Sequence, residues 1–113
     1  MKNQISTFVH QVYFWQKNVG SETDFAQLVI GLKTLQKIEV IIGLHIGTPA
    51  LSQDPDIDCS YSVSLLVCFN SAEDEKLYQV HPIHMKFMED CGHLFNKVRV
   101  YDSLQVPLGS LST

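Results

Sequence analysis

The chain is poor in positive charge. Its 113 residues include only 8 Lys and Arg against 12 Asp and Glu, a formal net charge of −4. The cations are spread from Lys2 to Arg99 without a basic block. Nucleic acid and anionic membrane surfaces both call for a clustered cationic footprint, so neither is expected as a partner. Cysteine is scarce as well. Cys59, Cys68 and Cys91 are odd in number and lack C-x-x-C spacing, which suggests reduced thiols rather than a disulfide framework. Nowhere do about 18 apolar residues run together, so no spanning helix is expected. No apolar segment of the signal-peptide kind follows Met1-Lys2-Asn3-Gln4. These absences together predict a cytoplasmic protein.

What is present is ordinary globular composition, 45% hydrophobic and 18% charged. The length suits one domain over residues 1–113, with a core over about 5–102 and an irregular tail over 103–113. Residues 5–15 are β-branched and aromatic and predict a strand. Both of its faces are apolar, Phe8, Val12 and Phe14 on one and Val9, Tyr13 and Trp15 on the other. Ser21 and the acids Glu22 and Asp24 form a capping sequence. Behind it Phe25, Leu28, Val29, Leu32, Leu35 and Ile38 recur at helical spacing, which predicts a helix over 22–38.

Residues 40–48 predict a second strand, and the prolines and aspartates of 49–58 a loop. Asp54, Asp56 and Asp58 imitate the start of a calcium loop, but Cys59 stands where glycine is needed and Leu65 where the bidentate glutamate belongs. Residues 60–69 predict a third strand with Tyr61, Val63, Leu65, Val67 and Phe69 on one face. Ser71 and the acids after it open a second helix to about Val80. Pro82 disfavours helical geometry in His81 and suits the first position of a new helix, which is expected over 82–95. Residues 97–102 predict the last strand. The order β-α-β-β-α-β is that of an α+β ferredoxin-like fold with a four-stranded antiparallel sheet. Helices would cover one face of that sheet. The doubly apolar first strand calls for cover on the other face too, which a second copy of the chain would supply.

Three stretches carry a resemblance. They are Phe8-Val9-His10 with Lys17 closing the strand, Phe69-Asn70-Ser71 before an acidic helix, and Tyr78 followed by His81-Pro82-Ile83-His84, with a later strand ending in Tyr101-Asp102. In this order the sequence resembles the stress-responsive α/β-barrel (Dabb) domain family over roughly residues 8–102. The resemblance implies a homodimeric α/β barrel with a pocket between helices and sheet. It also implies, in some plant members, cyclisation of a polyketide by a His–Tyr pair. On it, Tyr78 and His84 are the candidate catalytic residues, and His10, Val63 and Phe87 the candidate substrate-binding ones. Some cyclase-like members carry a histidine where Val63 stands here, which implies a more apolar cavity.

His84 shares the stripe of Phe87, Met88 and Cys91, so it points inward. At a helix N-terminus its charged form is disfavoured by about 0.3–1 kcal/mol, which leaves a ring able to accept a proton. The alternative is a buried histidine satisfied by a backbone carbonyl. Tyr78 is either a hydrogen-bond donor to an enolate or an amphipathic residue at a helix end. His10, amid large apolar residues, needs a buried partner. His81 and His84 flank a proline with no carboxylate or thiolate at ligand spacing, so no metal is expected. No cofactor is expected either. The reaction class expected of an enzyme here is proton abstraction next to a carbonyl, on a small apolar or polyketide-like ligand. A non-catalytic ligand-binding module and a cofactor-free monooxygenase are the alternatives.

Overall fold

The computed structural model describes residues 7–109. Its elements are β1 (Phe8–Gln16), α1 (Glu22–Thr34), β2 (Ile41–Gly47), β3 (Val63–Phe69), α2 (Ala72–Gln79), α3 (Pro82–Cys91) and β4 (Phe95–Leu104), with single 3₁₀ turns at Leu35–Lys37 and Gly92–Leu94. The strands form one antiparallel sheet in the order β2-β3-β1-β4. The architecture is α+β and ferredoxin-like. Residues 5 and 6 of the expected first strand lie outside the described residues, as do residues 110–113 of the expected tail.

β1 alternates strictly between buried and half-buried residues. Phe8, His10, Val12, Phe14 and Gln16 point at the helices, and Val9, Gln11, Tyr13 and Trp15 point away. Val63, Leu65, Val67 and Phe69 of β3 pair beside them and share the helix side. With Leu28, Leu32, Leu35, Ile38, Tyr78, Phe87 and Leu94 they make the core. The caps form as the sequence suggests. Ser21 Oγ accepts from Asp24 N at 3.2 Å and Ser71 Oγ from Asp74 N at 3.1 Å.

Several boundaries move. β3 begins at Val63 rather than 60, because Asp58 bends the chain by accepting from Ser60 N at 2.8 Å. Tyr61 therefore precedes the strand, and its ring packs on Tyr13, 5.0 Å between centroids, on the sheet face away from the helices. α3 stops at Cys91 and gives way to a 3₁₀ turn. β4 reaches Leu104, which takes Ser103 and Leu104 out of the irregular tail, while Gln105–Gly109 are irregular.

Two features of this frame shape the space beneath the helices. α1 and α3 approach so closely at Gly31 that a Cβ built there would lie 2.4 Å from Cys91 Sγ. At the other side the helices stop short of β4, whose helix-side residues Val98 and Val100 stay 44% and 48% exposed. A gap opens between α3 and the β1–β4 edge.

Candidate active site

That gap is a cavity of about 190 Å³. Its walls are mostly apolar, with Val12, Phe14, Leu65, Phe87, Phe95 and Val100 among them, and its polar side chains are His10, Tyr78, Gln79 and His84. Three elements meet here because of local chemistry. His10 is placed by the alternation of β1. Tyr78 sits in the last turn of α2, and His84 in the first turn of α3. The break between those helices is built by Pro82 and by His81, whose Nδ1 accepts from Ile83 N at 3.1 Å and caps α3. Nε2 of His81 meets Glu39 at 3.3 Å, outside the cavity.

Tyr78 is 1% exposed and stands between the two imidazoles, its ring centroid 4.7 Å from that of His84 and 5.7 Å from that of His10. Burial, and then the carboxylate of Glu75, push its phenol far above the ordinary value, so it remains a hydrogen-bond donor. His84 is half-buried. Its Nδ1 is out of contact with solvent and has no hydrogen-bond partner. Burial is also the main cause that holds its pKa below the ordinary imidazole value; the backbone of Gln79 works in the opposite direction and the charge of His10 adds to the lowering.

His10 is 4% exposed and finds its partner across the sheet, Nδ1 lying 2.5 Å from Oδ1 of Asp102. The β1–β4 register sets His10 directly opposite Asp102. Sequence reasoning required a partner without identifying it, since 92 residues separate the two; the terminal Asp of the last strand was the available signal. Phe87 lines the cavity with the polar trio. Val63 does not: it is fully buried in the core, and Leu65 occupies the cavity wall instead. Gln79, Met88 and Val100 line it too and were not anticipated, because only packing brings them together.

Donor atoms of His10, Glu75 and Asp102 lie within 4.8 Å of one another, the one such group among the described residues. It escaped the sequence search for metal ligands because its members come from three separate elements.

The chain belongs to the stress responsive A/B barrel domain family, whose model matches residues 8–104. Similar solved structures include a Dabb family protein with a ferredoxin-like fold from Mesorhizobium loti, 23% identical, with a TM-score of 0.71 over 90% of this chain and 97% of that one. The hydroxynitrile lyase from Passiflora edulis is 18% identical, with a TM-score of 0.75 over 88% and 93% of the two chains. A dimeric ferredoxin-like protein of unknown function from Thermobifida fusca is 14% identical, with a TM-score of 0.71 over 87% and 90%. At these identities the likeness is one of fold. No curated protein matches this chain in sequence. Among the described residues no helix is long and apolar enough to cross a membrane.

Proposed function

We propose that the cavity is a small-molecule site that moves protons next to a carbonyl without a cofactor, as a cyclase, isomerase or lyase step requires. The observation that carries this reading is the convergence of the His84 imidazole and the Tyr78 ring, 4.7 Å between centroids, on one largely apolar cavity. A neutral imidazole with a free lone pair is a general base. A phenol that stays protonated can donate to the enolate oxygen the base creates. His84 is the base, Tyr78 the donor, and His10 and Phe87 bound the ligand. That a hydroxynitrile lyase shares the fold supports a lyase step on this framework. The small cavity suits a compact, mostly apolar carbonyl compound.

The working unit is a homodimer in the cytoplasm, each copy a single domain. The helices cover only one side of the sheet, and Tyr13, Trp15, Leu66 and Tyr101 lie on the other. A second copy packed face to face would cover them, as the dimeric state of the Thermobifida fusca neighbour supports. The three free thiols suit a reducing compartment.

The test uses cyclohexanone in D₂O, with deuterium entering the carbons next to the carbonyl followed by proton NMR. Exchange above the buffer rate that His84→Ala abolishes supports the reading. Binding without exchange supports the ligand-binding alternative, and oxygen uptake with a quinol the monooxygenase.

A further inference from the structure

We propose that His10, held by Asp102, is the second proton-transfer group of the cavity, the acid that answers His84 as base. The site would then take carbonyl compounds that lose a proton at one atom and gain one a few ångströms away. The proposal rests on the proton-transfer reading above and deepens it.

The two imidazoles stand on either side of Tyr78 in opposite surroundings. Nδ1 of His84 is buried and meets no hydrogen-bond partner among the described residues, although the Gln79 backbone acts to favour a proton on the ring. Nδ1 of His10 donates to the Asp102 carboxylate at 2.5 Å, which leaves Nε2 to serve the cavity that the ring lines. A carboxylate on one ring nitrogen fixes the orientation of the ring and stabilises its cationic form. The titratable groups around His10 are Asp102 from β4, Glu75 and Tyr78 from α2, and His84 from α3. A positive charge on His10 disfavours one on His84, while the Glu75 carboxylate works on His84 in the opposite direction. Neighbouring groups driven to opposite protonation states are how one site supplies both an acid and a base.

The step balances without oxidant or reductant. His84 takes the proton from the carbon beside the carbonyl, and the C–H electron pair becomes the carbon–carbon double bond. The carbonyl π pair moves to oxygen, which Tyr78 holds and His10 Nε2 protonates. The result is the enol. If His10 instead delivers its proton to the far carbon of a conjugated substrate, the result is the double-bond isomer. His84 then releases its proton to solvent and His10 regains one.

A divalent cation is the competing occupant of His10, Glu75 and Asp102. His10 and Asp102 meet each other directly, Nδ1 to Oδ1 at 2.5 Å, with no room for an ion between these two atoms. Ligands that each stand about 2.0–2.2 Å from a zinc ion are spread further apart than this.

The experiment combines long-range ¹H–¹⁵N spectra of histidine-labelled protein at pH 7 with cyclohexanone exchange, on wild type, Asp102→Asn, His10→Gln and His84→Ala. Asp102 is partly exposed, so its variant should fold normally. The expected spectrum shows His10 protonated on both nitrogens and His84 on one, with Asp102→Asn removing a proton from His10. His10→Gln and Asp102→Asn should each lower the exchange rate on the order of 10²-fold or more. A neutral His10 in wild type overturns the proposal, as does stoichiometric Zn²⁺ or Mn²⁺ binding at micromolar concentration that Asp102→Asn abolishes. An Asp102→Asn enzyme with the wild-type rate, beside an inactive His84→Ala, overturns this proposal alone. Absence of exchange in wild type overturns the proton-transfer reading and this proposal with it.

Discussion

His84 carries a stability signature as well as a chemical one. Its pKa in the folded chain lies below the ordinary value of 6.5, chiefly through burial. An unfolded chain therefore takes up the proton at higher pH than the folded one. The sign follows from linkage: the native state is favoured above pH 6.5 and loses stability as pH falls through the folded pKa. Between pH 7 and pH 5 the wild type should therefore lose more melting temperature than His84→Gln does. Tyr78 gives the opposite pH expectation. Its phenol keeps its proton across the accessible range, so no phenolate limb should enter the rate profile. Tyr78→Phe should lower cyclohexanone exchange by roughly 10²–10³-fold, the usual loss for one oxyanion donor, with binding affinity little changed.

At the scale of elements, the packing of α1 on α3 sets where His84 and Phe87 sit. Gly31 is what permits it, since a Cβ there would meet Cys91 Sγ at 2.4 Å and Phe87 Cδ1 at 3.1 Å. Alanine in a helix interior is otherwise about 1 kcal/mol better than glycine. Gly31→Ala should nonetheless destabilise the protein by about 1–3 kcal/mol, the range for overpacking. In a Cys91→Ala background the same substitution should be neutral or stabilising, and urea titration of the double-mutant cycle measures that reversal. A cap is a local matter by comparison. Ser71→Ala should cost about 1 kcal/mol, because it orphans Asp74 N at the start of α2.

Among the described residues no helix covers the second face of the sheet. Val9, Tyr13, Trp15 and Leu66 on it are half-buried rather than solvated, and Lys97 lies 4.4 Å over the Trp15 ring. Two copies packed through this face should run as a dimer by light scattering at micromolar concentration. Leu66→Glu, which places a charge in the middle of the face without touching the core, should give the 12.8 kDa monomer. A wild-type chain that scatters only as the monomer would refute the paired sheet.

The sequence by itself determined the elements, because their signals are local. A run of β-branched and aromatic residues made β1, serine followed by acids started α1 and α2, and Pro82 divided α2 from α3. It also identified His10, Tyr78 and His84 as residues in need of an explanation, each being polar in an apolar setting. Tertiary structure decided what those residues touch. Asp102 reaches His10 through a strand register that no local signal encodes, and the packing of α2 on α3 seats Tyr78 against His84. Val63 was lost from the cavity and Leu65 gained for a similar reason. Both lie on the same face of β3, and only where α3 ends against the sheet separates a core position from a cavity wall. Residue chemistry is written along the chain, whereas the company each residue keeps depends on contacts across many residues, which only the folded packing fixes.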